Sequence, residues 1–170
     1  MLQNKEEKKN MLLVFFGGAL LYLIYKFKSK KTDSFVPTKQ SDFINPIEKD
    51  KYKITSRYGM RNGNLHNGID LMAAANTPLR AVANGKVDNV WTDTQSGNAI
   101  RINVGDFITG YAHMIKPSTL QVGDIVKKGD IVGYVGTTGN STGNHLHFTV
   151  RKKNEKGVYT IINPEDIFDL

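Results

Sequence analysis

The chain carries four histidines, at positions 66, 113, 145 and 147. Two of them alternate in the run Gly143-Asn144-His145-Leu146-His147-Phe148. Residues i and i+2 of a strand point to the same face. A strand here therefore turns both imidazoles into one space and sends Leu146 and Phe148 to the other side. His66 and Asp70 frame His66-Asn67-Gly68-Ile69-Asp70. On a helix that spacing shares a face, but Gly63, Gly68 and the strand-like Ile69-Asp70-Leu71-Met72 argue for a turn entering a strand. Asp70 can still return beside His66 on such a turn. His113 ends the strand-like run Tyr111-Ala112-His113-Met114. Each feature alone is what a polar strand face or a surface turn looks like; taken together they point to metal chemistry.

There is no cysteine, which excludes disulfides and thiolate metal sites. A transition metal must then be held by histidine and carboxylate. Catalytic zinc uses three protein ligands and keeps one position for water, and two histidines with one carboxylate form a common set. The cation lowers the pKa of its water from about 15.7 to about 7. Peptide hydrolysis then needs a group to take and return a proton, and a donor for the developing oxyanion. Four histidines and one aspartate supply three ligands and two acid–base groups with none left over. A serine nucleophile fits less well, because no G-x-S-x-G elbow is present. The helix-borne H-E-x-x-H zinc motif is absent too.

Positioning these residues falls to short strands. Sixteen glycines and many Val/Ile/Thr/Tyr runs favour a β-rich fold. Candidate strands cover 52–56, 68–73, 79–91, 98–104, 107–114, 125–135, 145–153 and 158–162. Asn84-Gly85, Val122-Gly123-Asp124 and Lys128-Gly129-Asp130 are turn signals. Strands at this spacing predict an antiparallel sandwich or open barrel.

The N-terminal part reads differently. After a charged tail over 1–10, Met11 to Tyr25 runs fifteen residues without a charge. Snorkelling of Lys26, with Phe27 beneath it, brings the stretch to the lower limit of about 17 residues for a span. Lysines rather than a small-residue cleavage site follow, so an uncleaved transmembrane anchor over 11–27 is expected in place of a signal peptide. Residues 28–51 are polar, hold Pro37 and Pro46, and read as a linker. The catalytic domain is expected over 52–170. Residues 1–31 hold seven lysines and two glutamates, +5 of the net +7. The basic excess is therefore N-terminal, and no nucleic-acid-binding face is expected on the domain.

Ser56-Arg57-Tyr58-Gly59-Met60-Arg61, Leu65-His66-Asn67-Gly68-Ile69-Asp70-Leu71, Tyr111-Ala112-His113-Met114 and TGNSTGNHLHF at 138–148 together resemble the lysostaphin/LytM-type zinc endopeptidases. VGDIVKKGDIVGYVG at 122–136 is similar to that family's glycine-turned hairpin. The resemblance spans about 52–168. It implies a mainly β, antiparallel fold of the duplicated-hybrid-motif kind with a narrow groove. It also implies one Zn2+ per chain and hydrolysis of peptide bonds in bacterial peptidoglycan, in the stem or cross-bridge. Carried over by position, His66, Asp70 and His147 match the family's zinc ligands. His113 and His145 match its two catalytic histidines that do not bind zinc. Asn103-Val104-Gly105 departs from the family, in which a histidine often precedes the glycine.

Other readings are a catalytically silent scaffold or activator of the same fold, and a zinc hydrolase of another peptide substrate. The first predicts a broken ligand set, which this sequence does not have. A lipoyl- or biotin-carrier hairpin wants its lysine at the tip between apolar neighbours, whereas Lys127-Lys128 sits beside a glycine turn. The expected partners are peptidoglycan and, through 11–27, a membrane. Positive charges flank the anchor almost equally, so the substrate decides the orientation: the domain is expected on the cell-wall side, or in a phage or virion membrane.

Overall fold

The computed structural model describes residues 42–61 and 63–170. The expected tail, the anchor over 11–27 and most of the linker lie outside the described residues. Among the described residues no helix is long and apolar enough to cross a membrane.

The strands are β1 (Lys53–Ser56), β2 (Gly59–Arg61), β3 (Asn64–His66), β4 (Ile69–Met72), β5 (Pro78–Arg80), β6 (Gly85–Asp93), β7 (Gly97–Asn103), β8 (Phe107–Met114), β9 (Ile125–Val126), β10 (Ile131–Tyr134), β11 (His145–Lys153) and β12 (Tyr159–Ile162). Eight form one antiparallel sheet in the order β1-β4-β11-β8-β7-β6-β9, with β12 also paired to β11. Strands β10 and β5 make a small second sheet, and β2 and β3 a hairpin. The mainly β, antiparallel expectation holds. The main sheet stays open, because β1 and β9 end it without pairing to each other.

Strand β11 is the axis of the molecule. Leu146, Phe148 and Val150 are fully buried, while His145, His147 and Thr149 between them are half-exposed. This period-2 pattern gives the sheet one dry face and one wet face. The dry face packs Ile69, Leu71, Ile100, Ile102, Tyr111 and Phe148 into one core with Leu79, Val82, Val132 and Val135. Each such side chain contributes about 1.5–3 kcal/mol by leaving water.

Three local corrections follow. The expected strand over 79–91 is broken between β5 and β6, and that over 125–135 between β9 and β10. In the latter, Lys127 N–H and Asp130 Oδ2 close the intervening turn at 2.8 Å. Strands β2 and β3 were not expected, because three residues are too few for an alternation to register. The linker expectation over 28–51 fails at its C-terminal end, since residues 43–47 belong to the domain. Ile47 is fully buried. Phe43 stands edge-on to Phe107 with ring centroids 5.4 Å apart. Ile44 N–H donates to Val82 O at 2.9 Å, and Arg80 N–H to Pro46 O at 2.8 Å. The segment looked like a linker because its partners, Val82, Phe107 and Phe168, lie far along the chain.

Candidate metal centre

Strands β4 and β8 flank β11, and the register brings the site together. His147 lies opposite Asp70 on one side and opposite Ala112 on the other. Directly opposed residues share a face, so His147 and Asp70 both look out of the wet face. His66 ends β3 opposite Gly59. The chain then turns through Asn67 and Gly68 into β4. A Cβ on Gly68 would lie 2.5 Å from Phe148 O and 2.8 Å from His147 Cε1. The missing side chain lets this turn lie against the ring. Gly68→Ala should destabilise the domain by about 1–3 kcal/mol, as overpacking does, and weaken metal binding by displacing His147. Thermal unfolding and metal titration test this; an unchanged Tm with unchanged affinity would refute it.

Three donor atoms converge. His66 Nε2 lies 3.0 Å from Asp70 Oδ1, His147 Nδ1 lies 2.8 Å from the same oxygen, and the two nitrogens are 3.1 Å apart. The outward nitrogens decide where the protons are. His66 Nδ1 is 2.8 Å from Arg57 O. A carbonyl only accepts, so Nδ1 carries the proton and Nε2 is bare. His147 Nε2 donates to Asn67 Oδ1 at 3.0 Å, which leaves Nδ1 bare. Two lone pairs and a carboxylate therefore face one another with no proton between them. A cation resolves that repulsion, and the residues fit one: a tetrahedral centre with bonds near 2.0–2.1 Å sets its ligand atoms about 3.3 Å apart.

Burial pushes the Asp70 carboxyl upward, but the close approach of His147 and the charges that His147, His66 and His145 can carry hold it below the usual carboxylate range. It is ionised at neutral pH. Arg61 approaches its other oxygen, Oδ2, at 4.0 Å and donates to Ser56 Oγ at 2.7 Å. Outer partners of metal-binding histidines fix the tautomer, and losing one costs about 10–100-fold in metal affinity. Asn67→Ala should show that loss in a competitive chelator titration, with folding intact. Wild-type affinity would show that Asn67 does not set the tautomer.

His113 reaches the same space by an irregular route. Simple alternation along β8 would place it with buried Tyr111, on the core side. A bulge intervenes: Asn98 and Ile100 on β7 oppose Met114 and Tyr111, so one β7 residue faces two on β8. His113 takes φ +64°, a conformation uncommon for a non-glycine residue. The flip turns its ring to the wet face and returns Met114 to the core. His113 Nδ1–H donates to Thr138 O at 2.8 Å. His145 Nδ1–H donates to Gly143 O at 2.8 Å. Both therefore keep a bare Nε2. Their ring centroids are 4.7 Å apart, and His145 Nε2 is 3.8 Å from Asp70 Oδ1. Burial, then the neighbouring His145 and His147, push the His113 pKa below its ordinary value.

The structure thus brings all five residues singled out in the sequence to one place. Reading the sequence missed Asn67, Arg61 and the carbonyls of Arg57, Thr138 and Gly143. Asn67 and Arg61 lay inside the quoted motifs, but no spacing rule marks a side chain that acts on a ligand's far nitrogen. Carbonyl acceptors leave no mark in sequence at all. The cluster sits in an open groove of about 580 Å3, lined among others by Leu65, Trp91, Gln95, Asn140 and Thr149.

Comparison with known proteins agrees with this geometry. The model of peptidase family M23 matches residues 64–159. The glycyl-glycine endopeptidase ALE-1 of Staphylococcus capitis is 43% identical over 90 residues, which is 51% of this chain and 25% of that protein. The chain thus spans a quarter or less of the staphylococcal relatives it matches. Among solved structures, the catalytic domain of the prophage-encoded M23 protein EnpA from Enterococcus faecalis superposes with a TM-score of 0.61 at 36% identity, covering 71% of this chain and 95% of that one. The catalytic domain of lysostaphin from Staphylococcus simulans gives 0.59 at 31% identity, over 68% and 90%. With the family model covering more than half of its length and the donor cluster inside the matched segment, the chain belongs to peptidase family M23.

Proposed function

We propose that this chain is a zinc metallo-endopeptidase that hydrolyses peptide bonds of bacterial peptidoglycan. The observation that carries the proposal is the converging, proton-free donor set of His66 Nε2, Asp70 Oδ1 and His147 Nδ1, open to a groove and flanked by two further bare imidazole nitrogens. A divalent cation held there would supply a water of lowered pKa and polarise the scissile carbonyl. His113 and His145 do the proton work. With Nδ1 committed to a backbone carbonyl, each presents Nε2 to the groove. One takes the proton of the attacking water and returns it to the leaving amine. The other, when protonated, donates to the developing oxyanion. The intact donor set argues against the silent-scaffold alternative. Relatives named as glycyl-glycine endopeptidase and as DD-carboxypeptidase/endopeptidase support the hydrolysis of peptide bonds. We further propose that residues 11–27 anchor the chain in a membrane with the domain on the cell-wall side, where that substrate lies.

The test is digestion of purified peptidoglycans with different cross-bridges by the full chain, with fragments identified by mass spectrometry and metal measured on the same preparation. Expected are about one zinc per chain and new amino termini within stem or bridge peptides. Zinc-loaded protein that releases no fragment from any of them would overturn the proposal.

A further inference from the structure

The groove that holds the donor cluster has a second charged end. Arg101 on β7, Gly110 on β8 and Thr149 on β11 lie side by side in register, with Ile108 and Arg151 in the next row. Arg151 lies on the His147 face of β11, four residues on, at about 3.3 Å per residue and so about 13 Å away. The next side chain, Lys152, leaves by the opposite face and sits over the Phe107 ring at 5.8 Å. Gly110 keeps the path open, since a Cβ there would lie 2.4 Å from Thr149 Oγ1. Arg61, Arg101 and Arg151 line the groove against a single carboxylate, Asp70, which the histidines engage. Arg101 is already fixed: its Nε donates to Asp88 Oδ2 at 2.6 Å and its guanidinium lies 5.9 Å from the Trp91 ring centroid. Arg151 is half-buried, and its guanidinium makes no hydrogen bond or ion pair with any described residue.

A half-buried guanidinium without a partner, on the floor of a peptide-sized groove, matches a carboxylate, to which arginine donates two parallel hydrogen bonds. We propose that Arg151 binds a carboxylate of the substrate, about two to four residues of extended chain from the scissile bond. This rests on the endopeptidase reading above and sharpens it. The preferred substrate is an acidic stem peptide and not an uncharged glycine bridge.

The experiment compares peptidoglycan that the wild-type chain digests with the same material after its free carboxylates are amidated by carbodiimide and ammonia. At sub-saturating substrate, amidation should slow the wild type by about 10–100-fold, the size expected for losing a charge-assisted contact. Arg151→Gln should be slowed to a similar degree on untreated material, lose nothing more on amidation, and keep its zinc. Arg151→Lys should recover part of the rate. A wild type indifferent to amidation overturns the carboxylate site, and so does an Arg151→Gln protein as sensitive to amidation as the wild type. If the wild type releases nothing from either material, the endopeptidase reading itself fails.

Discussion

His66→Ala, Asp70→Ala and His147→Ala should each lose the metal and about 10³-fold or more of turnover. The donor set has three members among the described residues, so none is spare. Removing Asp70 leaves His66 Nε2 and His147 Nδ1 with bare lone pairs 3.1 Å apart and no anion to balance a cation. Removing either histidine leaves one nitrogen and one carboxylate, a two-point site open to water. The metal's share of transition-state stabilisation is several kcal/mol, and every 1.36 kcal/mol is about tenfold in rate. Asp70→Asn separates charge from shape: it keeps the volume and loses the anion, and should behave like the alanine variant. Metal per chain, measured after reconstitution and desalting, decides the matter, alongside turnover on peptidoglycan and a check that each variant is folded. A variant retaining stoichiometric, tightly held metal would remove that residue from the ligand set.

These donors were legible through the resemblance of the motifs that hold them, and strand periodicity added only that His145 and His147 share a face. The alternation His145-Leu146-His147-Phe148 is the alternation of β11 itself, whose boundaries and those of β8 the sequence pattern located to the residue. Asp70 was singled out by its spacing from His66 on a turn entering a strand, and the structure sets it between buried Ile69 and Leu71. What stayed hidden depends on backbone events that leave no periodic trace. His113 falls on the core side by alternation, and only the bulge at Ala112–His113 and its φ of +64° bring it to the cluster. Nothing in Tyr111-Ala112-His113-Met114 signals that bulge, since no glycine marks it. Likewise Phe43 and Ile47 looked like isolated apolar residues in a polar stretch. Phe43 packs against Phe107 and Phe168, brought there by the whole sheet, and Ile47 joins the same core.

Glycines did more for the site than turn signals suggest. Gly97 and Gly139 let two loops cross at backbone contact, where a Cβ on Gly139 would lie 2.2 Å from Gly97 N. That crossing sets Thr138, whose carbonyl accepts from His113 and whose hydroxyl donates to Met114 O at 2.8 Å. The loop carrying the TGNSTGN run is thus tied to the hairpin carrying His113. The proton-handling pair is built from two segments joined by close backbone packing and by the hydrogen bonds of His113 and Thr138.

His113→Asn and His145→Ala should keep near-stoichiometric metal and lose about 10²–10⁴-fold in turnover, the usual contribution of a positioned acid or base. Neither Nε2 belongs to the converging donors: His145 Nε2 stands 3.8 Å from Asp70 Oδ1, beyond hydrogen-bond range, and the His113 ring centroid is 6.0 Å from that of His147. Asparagine suits position 113 because it tolerates positive φ better than most residues, so the bulge survives while the base is gone. Burial holds His113 neutral to a lower pH than an ordinary histidine. If His113 is the base, the acid limb of kcat/KM assigned to it lies below about pH 6.5 and disappears in His113→Asn. Because the two imidazoles serve the same transition state, the double variant should be little worse than the poorer single one, as for residues that act as a unit. Metal content and pH–rate profiles on these variants separate the roles within Gly143-Asn144-His145-Leu146-His147-Phe148. A His145→Ala protein that loses the metal while His147→Ala keeps it would exchange the two histidines.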